Sequence, residues 1–372
     1  MTHRGLAHTI SKAAVLAAAI SLFAAPSATV AQQAPADLTT MPPVPHTYAP
    51  KKTAWGDPDI RGTFPLDKVA SIPFQRPAQY GNRFWLTEDE YKARLEQANG
   101  SEKRYEAEDK SGKIGMGHWV ESDAAGRRTA MLIDPANGQL PAFTPQATAL
   151  MRAGRTSWTP NTPYNWVTDF DSWDRCISRG FPASMFPFRY NNGLRVFQAP
   201  GFVSIQLEML GTRVIPLRTK DHWPAAVESW LGNSIGHWEG NTLVIETTNL
   251  KTGDSATGNA YSRNGSPLNM ATLGVPANNV IPTSKQAKVI ERITPIGPDQ
   301  MIYEMTYSDP EVFTAPFTAR EDWFRNDKYA FYEYACYEGD VQVRNYINAS
   351  RAGRLTQPTA EERLADQGGS RQ

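Results

Sequence analysis

Arg195-Val-Phe-Gln198, Val203-Ser-Ile-Gln-Leu-Glu-Met209 and Thr212-Arg-Val-Ile-Pro-Leu217 follow one another with only Ala199-Pro-Gly-Phe202 and Leu210-Gly211 between them. Each alternates apolar with polar residues, is rich in Val, Ile, Thr and Phe, and is bounded by Gly or Pro. That pattern predicts half-buried antiparallel strands joined by tight turns. Four more runs repeat it downstream: Thr242–Thr248, Ala287–Thr294, Met301–Tyr307 and Pro316–Phe324. Seven or eight short strands in series predict a sandwich or barrel, and a barrel of about eight strands is wide enough to hold one small ligand.

The bulk properties set the compartment. Arg4 and Lys12, the apolar stretch Ala13–Ala25 and the small residues Ala28-Thr-Val-Ala31 have the form of an export signal over residues 1–31. They predict a periplasmic mature chain. The apolar stretch is too short to span a bilayer, and no later segment approaches about 20 apolar residues. The chain has 38 basic and 38 acidic side chains. Without Arg4 and Lys12 the balance is slightly acidic, which favours neither nucleic acid nor an anionic membrane as partner. Ten Trp, fourteen Tyr and fifteen Phe supply a core and suit an aromatic-lined pocket, and 28 Pro argue against a helical protein. The only cysteines, Cys176 and Cys336, predict one disulfide in an oxidising compartment. The rival reading of either is a catalytic thiol with a His partner.

Along the chain, residues 32–54 are Pro/Ala/Gln/Thr-rich and read as a disordered linker. Residues 55–190 read as an N-terminal α/β extension followed by an aromatic irregular segment. Within it, Leu86–Ala98 predicts a helix capped by Thr87 with Glu90 completing a capping box. Arg128–Asp134 predicts a strand, and Thr144 with Pro145 starts a second helix. Residues 191–352 are assigned to the antiparallel β-barrel, with a short helix expected over Asp221–Leu231 and a long loop over 251–284. Gly236-His-Trp238 ahead of a strand is also how lipocalin-type barrels begin. Residues 353–372 read as a disordered tail. The predicted fold class is thus mainly β: an antiparallel lipocalin-like barrel with an N-terminal α/β extension and long irregular segments.

Signatures of common chemistries are absent: no Gly-rich phosphate loop, no Gly-x-Ser-x-Gly elbow, no His-Glu-x-x-His and no zinc-type cysteine pair. No cofactor and no metal are therefore expected. Of six histidines, His222 and His237 lie near the strands, fifteen residues apart, a spacing that matches no ligand pattern. Pleat arithmetic is more informative. In Val203–Met209, Val203, Ile205 and Leu207 share one face, while Ser204, Gln206 and Glu208 share the other. If the mixed faces point inward, Glu208, Glu304, Arg320 and Asp322 line a polar cavity; if outward, they are solvated rows with cross-strand ion pairs. Arg213 and Glu321 differ, because each shares a face with large apolar groups. A charge there is expensive unless paired, and such groups cluster at binding sites. Arg189-Tyr190-Asn191-Asn192 adds a guanidinium, a phenol and two amides at the expected rim. Asn191-Asn192-Gly193 is also a good turn sequence.

Asp174-Arg-Cys176, Tyr190-Asn-Asn192, Gln198-Ala-Pro-Gly201, Arg213-Val-Ile-Pro-Leu217, Trp238-Glu-Gly-Asn-Thr-Leu-Val244 and Tyr334-Ala-Cys336 resemble a large family of exported bacterial proteins, most of them hypothetical. The resemblance covers roughly residues 55–352, with the Trp238–Val244 run its most specific part, and it implies no catalytic residues. A looser association is with cofactor-independent decarboxylases of phenylcoumaran-type lignin dimers. Phenolic acid decarboxylases, lipocalin-like barrels that use Arg, Tyr and Glu without a cofactor, are an analogy at the level of fold.

These observations lead to the expectation of a cofactor-independent lyase, such as a decarboxylase, acting on an aromatic or apolar carboxylic acid. In it Arg189 or Arg213 holds the carboxylate, Asn191, Asn192 and His222 line the site, Tyr190 moves a proton, and Glu208 or Glu321 serves as acid/base. One alternative is a non-catalytic lipocalin-like carrier of an apolar ligand. A second is a metal-dependent hydrolase using His222, His237 and a carboxylate. The expected partner is a small aromatic or apolar ligand, and an oligomer is compatible with either reading.

Overall fold

A computed structural model describes residues 34–112, 126–153, 163–188, 190–252, 281–336 and 341–355. The strand-rich stretch forms as its alternation predicts. After β1 (Gly62–Pro65) and β2 (Leu132–Asp134) come β3 (Gly193–Ala199), β4 (Phe202–Leu207), β5 (Thr212–Pro216), β6 (Asn233–Glu239) and β7 (Thr242–Thr248). They are followed by β8 (Lys288–Gly297), β9 (Gln300–Ser308) and β10 (Phe317–Phe324). Pro200-Gly201 turns β3 into β4 and Gly240-Asn241 turns β6 into β7. Gly201 and Gly240 have φ of +83° and +60°, which glycine adopts without steric cost.

The described strands make two antiparallel sheets rather than a closed barrel. One has the order β1-β3-β4-β5, the other β2-β10-β9-β8-β7-β6. β5 and β6 approach each other without pairing. A Cβ on Gly236 would lie 2.9 Å from the Ile215 side chain and 3.0 Å from that of Leu217. The β6 backbone therefore sits over β5 side chains instead of beside the β5 backbone, and no ladder links them. At the opposite side β1 meets the chain leaving β10 through a backbone hydrogen bond, Asn326 N–H to the Thr63 carbonyl at 2.8 Å. Phe64 packs on Trp323 beside it.

The inner faces of both sheets share one core. Val203, Ile205, Ile215, Leu243, Ile245, Val289, Tyr303, Met305, Phe317 and Trp323 are fully buried in it. The expected ligand-sized space between the strands is filled by the aromatic irregular segment. Phe181, Met185 and Phe186, on either side of a 3-10 turn at Ala183–Met185, are buried in the same core. This segment plugs the interior. Phe186 of the segment packs edge-on against Phe74, which in turn packs on Phe317 and, through it, on Phe313 and Tyr307.

The capping reading holds at both predicted helices. In α1 (Glu88–Ser111) Thr87 and Glu90 form the capping box, and the helix runs past Gly100 to Ser111, beyond the expected end. In α2 (Pro145–Ala153) the Ala147 N–H donates to Thr144 Oγ1 at 3.1 Å. Three expectations are corrected. Asp221–Leu231 is not helical, because Asn249 Nδ2 donates to the carbonyls of Trp223, Pro224 and Val227 and Asn233 Oδ1 accepts from Trp223 N–H, which holds the segment as turns. The end of the span assigned to the barrel is a helix, α3 (Val341–Leu355), with Tyr346 packed against Tyr164 and Phe170. Residues 34–54 carry no helix or strand yet are tied down, since Trp85 Nε1 donates to the Thr40 carbonyl and Arg320 Nη1 to that of Pro42. The expected export signal, most of the 251–284 loop and most of the tail fall outside the described residues.

Cys176 and Cys336 form the disulfide, closing a loop of 160 residues. It clamps the plug to the chain that leads into α3. A loop of that length is worth roughly 4–5 kcal/mol in the chain-entropy model. Replacing both cysteines by Ser is expected to lower the unfolding free energy by about that amount in urea titrations, with an unchanged core near-ultraviolet circular dichroism spectrum. A change under about 1 kcal/mol would contradict the clamp.

Candidate functional site

The pleat places Arg213 and Glu321 inside, as their apolar faces require. Arg213 reaches from β5 across the gap between the sheets to Glu291 on β8. Its two terminal nitrogens lie 2.8 and 2.5 Å from the Glu291 carboxylate oxygens, and both side chains are shut off from solvent. Arg213 Nη2 also donates to Ser234 Oγ at 3.0 Å and Thr247 Oγ1 at 3.2 Å, while its guanidinium lies 4.4 Å from the Phe181 ring of the plug. The Tyr303 hydroxyl donates to Glu291 Oε1 at 2.9 Å. Burial first, and the neighbouring Glu291 second, push the Tyr303 phenol well above its ordinary range, so it acts as a fixed donor. Glu291 was not singled out in the sequence, although Ala287–Thr294 puts it on one face with Val289 and Ile293.

Glu321 stands directly opposite Tyr303 in the β9–β10 register. It accepts from Trp323 Nε1 at 3.2 Å through Oε2, whereas Oε1 is buried without a hydrogen-bond partner among the described residues. Burial raises its pKa to about 8, opposed by the Trp323 hydrogen bond and by Arg128 and Arg179. The Arg179 guanidinium, in the plug, is itself pushed down to about 10 by burial. It donates weakly to the Ala183 and Phe186 carbonyls at 3.3 and 3.4 Å and faces the Phe188 ring. Beside it is a cavity of about 10 Å³, lined by Arg179, Ser184, Asn192 and Glu208 among others. That is room for one water and not for a substrate.

Asn191, Asn192 and Glu208 border that water-sized hollow, and the remaining predicted residues are not assembled around a ligand-sized cavity. Glu208 accepts from Gly193 N–H (2.7 Å), Tyr329 Oη (2.8 Å) and Tyr332 N–H (2.9 Å), which staples the β3–β4 end to the C-terminal chain. Asn192 closes a turn by exchanging two hydrogen bonds with the Phe188 backbone, and Asn191 takes the left-handed conformation there with φ of +52°. The turn reading of this segment holds. Tyr190 packs edge-on against Phe188 at 5.0 Å. Arg189 lies outside the described residues. Glu304 pairs with Arg320 at 2.7 Å and Asp322 with Arg128 at 3.3 Å on the outer face of the sheet. His222 contacts Asn233 and Glu246, whereas His237 is exposed beside Glu239. The two histidines thus engage different carboxylates, and no cluster of three metal-ligating side chains occurs among the described residues.

Space for a small molecule is found at the surface. A cleft of about 370 Å³ opens at the seam where β5 and β6 part. Its walls are Gly211–Val214 of β5 and its turn, Gly232–Ser234 of β6, and Ile177, Leu210, Trp223 and Trp230 from the flanking segments. A second hollow of about 250 Å³ lies between Ile60–Phe64 and the Pro295–Met301 turn, and its charged groups are largely paired, as Arg61 with Asp59. The chain matches no family model, no curated protein and no solved structure.

Glu321 holds its proton more tightly folded than unfolded. Its contribution is fully present below the ordinary carboxylate range and is lost as pH rises from there through about 8. Glu321→Gln is expected to remove a loss of on the order of 4 kcal/mol between pH 5 and pH 9, read as a flatter pH profile of urea stability. An unchanged profile would show that Glu321 ionises freely.

Proposed function

We propose that this chain is an exported carrier of a small apolar or aromatic ligand, held in the seam cleft between the two sheets. The observation that supports it is the cleft itself. It is in the usual size range of small-ligand sites, is walled by Trp223, Trp230, Leu210, Ile177 and Val214, and is bordered by two strands with no ladder between them. Its use is lipocalin-like, in that antiparallel strands present the ligand site, but the ligand enters at a seam instead of a barrel mouth. The disulfide fits an oxidising compartment, as does the resemblance to exported bacterial proteins. Among the described residues no helix is long and apolar enough to cross a membrane.

A second reading, the cofactor-independent lyase, is favoured by one observation: Glu321 keeps a transferable proton near neutral pH beside Tyr303 and Arg179. In that reading Glu321 is the acid, with Arg128 and Arg179 as the cations that act on it, because Arg213 is committed to Glu291.

Ligand titrations followed by tryptophan fluorescence and product analysis separate the two. The carrier reading expects saturable quenching that Trp230→Leu weakens about tenfold, with no product after prolonged incubation with phenolic acids. Steady release of carbon dioxide that Glu321→Gln abolishes would favour the lyase instead.

A further inference from the structure

Resting on the carrier reading of the seam cleft, we propose that this site takes ring compounds bearing a carbonyl oxygen, such as an aromatic ketone, quinone or lactone, in preference to hydrocarbons of the same shape. The residues lining the cleft have committed their acceptors and left donors open. Asn233 Oδ1 accepts from Trp223 N–H at 3.0 Å and also meets a ring nitrogen of His222 at 3.0 Å. The Ser229 carbonyl accepts from the N–H groups of Gly232 and Lys251 at 3.1 and 2.9 Å, and the Gly211 carbonyl from Leu207 N–H at 3.0 Å. Ser234 Oγ is held between Arg213 Nη2 and Thr247 Oγ1 at 3.0 and 2.8 Å. No Asp or Glu lines the cleft.

The donors stand in contrast. The bond from Trp223 N–H fixes which end of the Asn233 amide is the oxygen, and its Nδ2 has no acceptor among the described residues. Asn233 is 7 % exposed, so a ligand seated in the cleft closes that donor off from solvent. The indole N–H groups of Trp223 and Trp230, in the aromatic wall, likewise have no acceptor among the described residues. The hydroxyls of Thr212 and Ser229 can donate or accept, and Val214 at the open edge of β5 adds one backbone N–H and one carbonyl, so neither biases the choice. Donors that face a cleft bond to water until a ligand displaces it. A hydrocarbon removes that water and offers no acceptor in its place, whereas a ketone oxygen takes the donors over. Selection of this kind is strong, because the analogue that lacks the oxygen leaves donors unpaired.

The test is equilibrium dialysis of the full chain with 1-indanone and with indane, the hydrocarbon of the same ring system. Apolar burial alone ranks indane first, because it is the costlier of the two to keep in water. The proposal ranks 1-indanone first, by about tenfold. Asn233→Asp keeps the oxygen that holds Trp223 and replaces the Nδ2 donor with a second oxygen. Trp230→Phe keeps an aromatic ring in the wall and removes its N–H. At least one of these two variants should abolish the ketone's advantage, while Trp230→Leu weakens both probes. Indane bound as tightly as 1-indanone or more tightly, with both weakened by Trp230→Leu, would overturn the carbonyl preference and leave the cleft as the binding site. Binding of neither probe would remove the carrier reading and this inference together. A ketone advantage that neither Asn233→Asp nor Trp230→Phe reduces would place the donors elsewhere and overturn the proposal.

Discussion

The two sheets meet at β5 and β6 without a backbone ladder, and the Arg213–Glu291 salt bridge does what a ladder would otherwise do. It spans from the four-stranded to the six-stranded sheet, and Ser234, Thr247 and Tyr303 satisfy most of its remaining hydrogen-bonding capacity. A buried ion pair is not by itself a source of stability, since desolvation offsets much of the attraction. Its effect here is on arrangement. Arg213 can leave water only where Glu291 receives it, so β5 must lie against β7 and β8 in one register. The same guanidinium packs on Phe181 and contacts Met185 Sδ at 3.3 Å, which fixes the plug in the core.

From that constraint the functional geography follows. With Phe181, Met185 and Phe186 in the core, the hollow beside Arg179 has space for about one water, and the ligand-sized seam cleft lies at the surface. The seam that needs the salt bridge is also the place where two strand edges stay apart and the aromatic flanking segments form a wall. Structural polarity inside and ligand-binding capacity outside are two results of the same missing ladder. Glu321 sits apart from this arrangement: it is a neutral acid near physiological pH, opposite Tyr303, with one oxygen that has no hydrogen-bond partner among the described residues.

Much of this was legible before the fold was known. Period-two alternation placed seven strands to within a few residues, and capping chemistry located the starts of α1 and α2. The same alternation marked Arg213 and Glu321 as interior charges. Glu291 answers to that logic as well, since it shares a face of its run with Val289 and Ile293. What could not be read was geometry at long range. Whether strands close into a barrel depends on how the two sheets meet at β5 and β6, and that the Arg179–Phe188 segment enters the core depends on volume, not on pattern. Asp221–Leu231 looked helical from Asp221 and Pro224, but Asn249, remote in sequence, captures its carbonyls. The weakly apolar α3 gave no periodic signal strong enough to notice. Glu208, read as a candidate base, turned out to be a staple, because its three donors come from segments up to 124 residues away.

The account depends most on Arg213 and Glu291 acting as one unit across the seam, and a double-mutant cycle in urea measures that directly. With Arg213→Met and Glu291→Leu, each single variant should lose about 3–5 kcal/mol, because it strands a buried charge. The double variant should lose clearly less than the sum, and less than either single change if the apolar pair packs well. Additive losses, with no coupling between the two sites, would contradict the claim that this pair joins the sheets.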